Sequence, residues 1–240
     1  MRFLPADRGD PDAPRAGLSG RLNRLRAGVL GANDGIVSTA GLVVGVAGAT
    51  TATGAILTAG VAGVVAGAVS MALGEYVSVS SQRDTEKTLL ARERDELDRF
   101  PDAELAELAT LYEAKGISPG TARLVAAELT ANDPYAAHFD VELGIDPHDL
   151  TNPWHAAAAS AGAFVLGSLL PLLAILLPPA DARVAVTVVV VLLALALTGA
   201  VSSSLGGSTR GPAVLRLVLG GALAMAVTFG IGLLVGASGL

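Results

Sequence analysis

Apolar positions gather into five long runs, at 27–49, 54–78, 155–177, 184–205 and 213–237, and polar residues collect between and before them. Each run is long enough to cross a hydrocarbon core of about 30 Å, which needs roughly 20 residues of helix. The interval between the second and third runs has a different texture. Its apolar residues recur at helical spacing, as Leu89, Leu90 and Leu97, then Leu105, Leu108, Leu111 and Tyr112, then Leu124, Val125 and Leu129. Pro101, Pro119 and Pro134 each suit the first turn of a helix, and Ser118 and Asp133 stand where N-caps belong. The first of these helices is expected to continue out of the second run through Tyr76 to Arg99. The pattern predicts an all-α integral membrane protein, with five transmembrane helices and a helical insert between the second and third spans. The expected division is a disordered tail at 1–20, spans one and two within 21–81, the insert at 82–152, and spans three to five within 153–240.

Composition sharpens this picture. Residues 82–149 hold 16 of the chain's 22 acidic side chains against 7 basic ones, so the insert is an acidic domain in water. Cysteine is absent, which removes disulfides, thiolate zinc sites and iron–sulfur clusters and leaves carboxylate, imidazole and thioether as metal ligands. A net charge of -6 without a basic patch excludes a nucleic-acid partner. Lys and Arg mark the cytoplasmic side of short membrane loops. Arg21, Arg24 and Arg26 precede the first run, and Arg210 and Arg216 flank the fourth-to-fifth connection. The first-to-second connection has no such residue and the third-to-fourth only Arg183. The amino terminus and the insert are therefore expected in the cytoplasm. The first 20 residues lack the apolar core of a signal peptide and carry no organellar targeting pattern, which fits a bacterial plasma membrane.

The only acidic residues within the five runs are Asp34 and Glu75. Asp34 lies about 10 Å inside its span at 1.5 Å per residue. A carboxylate at that depth is costly, so it marks either a cation or proton site or a protonated acid hydrogen-bonded to Asn33, Ser38 or a neighbouring helix. Met71 and Glu75 are spaced i, i+4 and share a helix face. Together they offer a borderline metal one soft and one hard ligand; alternatively Met71 fills a packing gap and Glu75 lies at the interface. In the insert, Glu93 and Glu96 form one pair three apart and Glu104 and Glu107 another, with Pro101 between them. Two packed helices would join four carboxylates, while the plainer reading is a solvated face with intrahelical pairs such as Arg92/Glu96 and Arg94/Asp98. His138 and Glu142, one helical turn apart, could add ligands; His148 and His155 are background. Gly-xxx-Gly spacings at Gly31/Gly35, Gly41/Gly45, Gly63/Gly67 and Gly232/Gly236 allow close helix approach within one chain or between two. There is no phosphate-binding glycine loop, nucleophile elbow or zincin motif, so the chain is not expected to be an enzyme or to be energised by ATP.

Three stretches resemble the vacuolar iron transporter family, which includes a yeast vacuolar calcium and manganese transporter and many bacterial members. They are the segment from Gly31 through Asn33, Asp34 and Gly35 to Ser38 and Thr39, the segment from Gly67 through Met71 and Glu75 to Gln82, and the Glu-rich insert. The resemblance covers Leu22 to the carboxyl terminus. It implies a five-span homodimer with the ion path between its two copies, lined by Asp34, Met71 and Glu75. It also implies proton antiport driving Fe(II) or Mn(II), the bound and transported ions, out of the cytoplasm for homeostasis and detoxification. By matching, Glu93, Glu96, Glu104, Glu107 and Glu142 are metal ligands of the insert. His138 and Phe139 stand where relatives supply a Met and a Glu, which makes His138 a candidate substitute ligand. The competing reading is a membrane-anchored metal buffer or sensor that binds without transport; another is a carrier of a different cation or small solute.

Overall fold

In a computed structural model of the chain, residues 13–205 and 209–238 are described, with side chains for 28–204 and 209–238. Among the described residues there is no strand. The helices are α1 (Ala13–Ala49), α2 (Thr53–Arg99), α3 (Pro101–Ala114), α4 (Pro119–Asn132), α5 (Pro134–His138), α6 (Pro153–Leu176), α7 (Arg183–Leu205) and α8 (Arg210–Ser238), with a π-helical turn over Phe139–Leu143 directly after α5. Among the described residues, five helices are long and apolar enough to cross a membrane: the Gly28–Ala49 part of α1, then α2, α6, α7 and α8. The protein is thus an all-helical, multi-pass membrane protein. Of the tail expected at 1–20, residues 1–12 lie outside the described residues. The remainder opens α1, with Pro14 in its first turn, where a missing N–H costs nothing.

The chain divides into two compact units, one gathering Gly20–Tyr76 and Pro153–Leu240, the other centred on Val77–Asn152. In the first unit, Ile36, Ala40, Val43 and Val44 of α1 form the centre of a core. Ile56 and Val64 of α2, Leu172 and Ile175 of α6, Val191 and Leu195 of α7, and Met225 of α8 complete it. Glycine makes this contact possible. A Cβ on Gly35 would overlap the Phe164 carbonyl and stand 3.0 Å from Ser168 Oγ. One on Gly31 would stand 2.8 Å from the Ser160 carbonyl oxygen, and one on Gly232 would overlap the Gly45 carbonyl. Gly41 and Gly45 face Thr228, Gly236 faces Ala49, and Gly63 and Gly67 receive the side chains of Leu42 and Phe164. Each of the four Gly-xxx-Gly spacings in the membrane helices named above is therefore occupied by packing within the chain. Arg183, 6 % exposed, donates to the Thr51 carbonyl at 3.4 Å and to Thr53 Oγ1 at 3.3 Å. It ties the third-to-fourth connection to the first-to-second one, just beyond the carbonyl end of α1, where a cation is favoured.

The second unit folds around Leu108, Ala109, Ala126 and Ala137, flanked by Leu105, Tyr112, Leu129 and Val141. The three proline-led starts fall at the expected residues. Asp133 caps α5, its Oδ1 accepting from Ala136 N at 3.0 Å, whereas the Ser118 hydroxyl pairs at 3.0 Å with Thr121 Oγ1 and does not cap α4. Gly144, at φ 62, supplies the left-handed residue that ends the π turn.

Candidate metal centre

Four elements of the insert each contribute one ligand-bearing side chain: Glu93 from α2, Glu104 from α3, His138 from the end of α5, and Glu142 from the π turn. One ligand atom from each lies within 4.8 Å of all the others. Two ligands on opposite sides of an ion sit about 4.2 Å apart at metal–ligand distances near 2.1 Å, so only a small contraction is needed to fit one. His138 is fully buried, and Glu93 and Glu104 are buried, while Glu142 stands exposed at the rim. The cluster is thus a pocket closed at its base and open along one carboxylate.

All three carboxylates converge on one ring nitrogen. His138 Nδ1 is hydrogen-bonded to Glu142 Oε2 at 3.3 Å, approaches Glu93 Oε1 at 2.9 Å and lies 3.9 Å from Glu104 Oε2. One nitrogen cannot satisfy three acceptors. Among the described residues, Glu93 Oε1 makes no hydrogen bond despite its proximity, and His138 Nε2 is buried without a partner. Buried polar atoms are almost always satisfied, so orphans of this kind ask for an unseen partner. Burial, followed by the negative charge of Glu142, pushes the Glu93 carboxyl from 4.5 up to about 7. Burial and then Glu107 raise that of Glu104. The site is short of positive charge, the condition a divalent cation relieves.

The other two expected insert ligands lie outside this set. Glu96 is held by Arg92 at 3.1 Å and Glu107 is exposed. Both still act on the site through their charge, Glu96 raising the pKa of Glu93 and Glu104, and Glu107 that of Glu104. The expected Arg94/Asp98 pair does not form. Arg94 lies 5.5 Å over the buried Phe139 ring, and Asp98 accepts from Tyr135 OH at 2.6 Å, because the folding of α5 and the π turn against α2 offers each a better partner.

In the membrane unit, Asp34 and Met71 line one cavity of about 180 Å³, together with Ser38, Thr39, Leu42, Gly63, Gly67, Ser70 and Phe164. Glu75 is half-buried and does not line it. Ser38 was named from the sequence as a partner for Asp34; Thr39 and Ser70 were not singled out, although their signal was present, Thr39 following Ser38 about one turn beyond Asp34 and Ser70 adjoining Met71. The π turn had no such signal, since an ordinary helix accounts equally well for His138 and Glu142 one turn apart.

The chain is similar to known proteins over most of its length. A family model described as the VIT family matches residues 25–233. The vacuolar iron transporter of Acanthamoeba castellanii is 42 % identical over 98 % of this chain and 86 % of its own length. Vacuolar iron transporter homolog 5 of Oryza sativa subsp. japonica is 38 % identical over 93 % of this chain and 86 % of its length. Vacuolar iron transporter 2 of the same plant is 35 % identical over 85 % and 84 %.

Proposed function

Because this chain belongs to the VIT family, we propose that it exports Fe(II) or Mn(II) from the cytoplasm in exchange for protons. The family consists of transporters, not enzymes, and metal transport, of iron in particular, is the activity that membership assigns. The observation that carries the reading is the set of three carboxylates gathered on one buried imidazole, short of positive charge, in a chain that crosses the membrane several times.

In this reading the insert captures the ion. Glu93, Glu104, His138 and Glu142 ligate it, while Glu96 and Glu107 deepen the negative potential that draws it in. Imidazole beside carboxylates suits Fe(II) and Mn(II) better than a purely oxygen set, which also serves Mg and Ca. Asp34, Met71 and Glu75 then line the path through the membrane. Protons arriving from the far side protonate carboxylates and release the ion, since ligation needs the deprotonated form.

The distribution of Arg21, Arg24, Arg26, Arg210 and Arg216 supports a cytoplasmic insert in a cell membrane. A homodimer is supported by the exposure of Asp34, Ser38 and Ser70 on membrane-spanning helices, a polar face that lipid would cover only at high cost. Proteoliposomes under an imposed pH gradient test the proposal. Fe(II) or Mn(II) flux that follows the gradient and disappears in Asp34→Asn is expected. Retained metal binding without flux at any gradient would establish an anchored buffer or sensor instead.

A further inference from the structure

Within the transport reading above, we infer that the hydroxyls of Thr39 and Ser70 are ligands for a partly dehydrated first-row divalent ion in the membrane cavity, completing a set begun by Asp34 and Met71. The cavity has room for an ion and a few waters, each of which occupies about 30 Å³ in the liquid. Asp34 and Met71 bring one charged oxygen donor group and one thioether, fewer donors than such ions take. An ion that has shed water into an apolar helix bundle needs further oxygen atoms.

Hydroxyls on membrane helices ordinarily bond to a carbonyl of the preceding turn. Ser38 does so to Asp34, Thr187 to Arg183 and Thr228 to Ala224. Thr39 and Ser70 form no hydrogen bond among the described residues, and both line the cavity. Thr39 is 2 % exposed and lines the cavity, and its hydroxyl has no hydrogen-bond partner among the described residues. Its lone pairs are left for whatever occupies the cavity, since a largely buried polar group is ordinarily satisfied. A neutral oxygen suits the task. It replaces hydration without adding a second fixed charge, and a conducting site must bind weakly enough to let the ion go.

Binding and flux separate this inference from the reading on which it rests. Mn(II) binding is measured by electron paramagnetic resonance on the full-length protein carrying Glu93→Gln and Glu104→Gln, which silence the insert site. Thr39→Val keeps the side-chain shape and removes the hydroxyl. It is expected to weaken the remaining Mn(II) binding by about tenfold or more, the scale of losing a group in or around a coordination sphere. Ser70→Ala should weaken it severalfold, and Thr39→Ser should restore it. In proteoliposomes carrying the native insert, Thr39→Val should raise the half-saturating Mn(II) concentration by a similar factor, a change that a purely structural role would not produce. Unchanged binding in both Thr39→Val and Ser70→Ala, or failure of Thr39→Ser to restore it, overturns the assignment. If wild-type protein carries no Mn(II) while binding still depends on Thr39, transport falls and the ligand assignment stands.

Discussion

At Glu93, burial and neighbouring acids act in the same direction, and both make the ionised form unwelcome while no cation is present. A carboxyl raised from 4.5 to about 7 contributes stability that is fully present below pH 4.5 and lost as pH rises through 7. The metal-free insert should therefore be looser at pH 8 than at pH 6. Amide hydrogen exchange across 101–143, corrected for intrinsic rates, should be faster at pH 8, and Glu93→Gln should remove most of the difference. Metal reverses the sign: it needs the deprotonated carboxylate, so affinity at the insert should fall as pH drops below about 7. Calorimetric titration with Mn(II) at pH 6 and pH 8 reads this directly.

Among elements, α1 depends on closeness more than on apolar area. Gly31 and Gly35 admit the backbone of α6, and Gly45 admits that of α8 at Gly232. Without a hydrophobic drive between helices in lipid, this contact is a main source of their association. Gly35→Ala would push a methyl group into the Phe164 carbonyl, a backbone atom that cannot swing aside. The expected cost is about 1–3 kcal/mol, the usual range for overpacking. It should appear as a lower melting temperature in detergent, whereas Gly74→Ala, which meets nothing within 4 Å, should leave it unchanged.

For the whole molecule, the two compact units hold separate candidate sites, the insert cluster in one and the Asp34 cavity in the other. Sites that share no ligand should respond independently to substitution. Asp34→Asn is expected to leave Mn(II) affinity at the insert within about twofold of wild type. Glu93→Gln with Glu104→Gln should abolish that binding while the protein still inserts and folds. Calorimetry on both variants, with flux measured beside it, checks this division.

The five spans and the acidic insert were legible in the sequence because long apolar runs and charge segregation are local properties, and lipid leaves a bare backbone no alternative to helix. The proline-led starts at Pro101, Pro119 and Pro134 were legible for the same kind of reason, since a missing N–H is tolerated only in a first turn. His138, Glu93, Glu104 and Glu142 were nameable as metal-ligand types, but spacing could not separate them from Glu96 and Glu107. Which carboxylates turn inward depends on how α2, α3 and the π turn meet, a matter of packing between residues far apart in the chain. The same holds for Arg183, read as a loop charge and found buried against Thr51 and Thr53, and for Thr39 and Ser70, whose importance comes from the cavity they share. Sequence determined the elements and the chemical vocabulary; only tertiary structure decided which residues meet, because burial and hydrogen-bond satisfaction belong to the assembled chain.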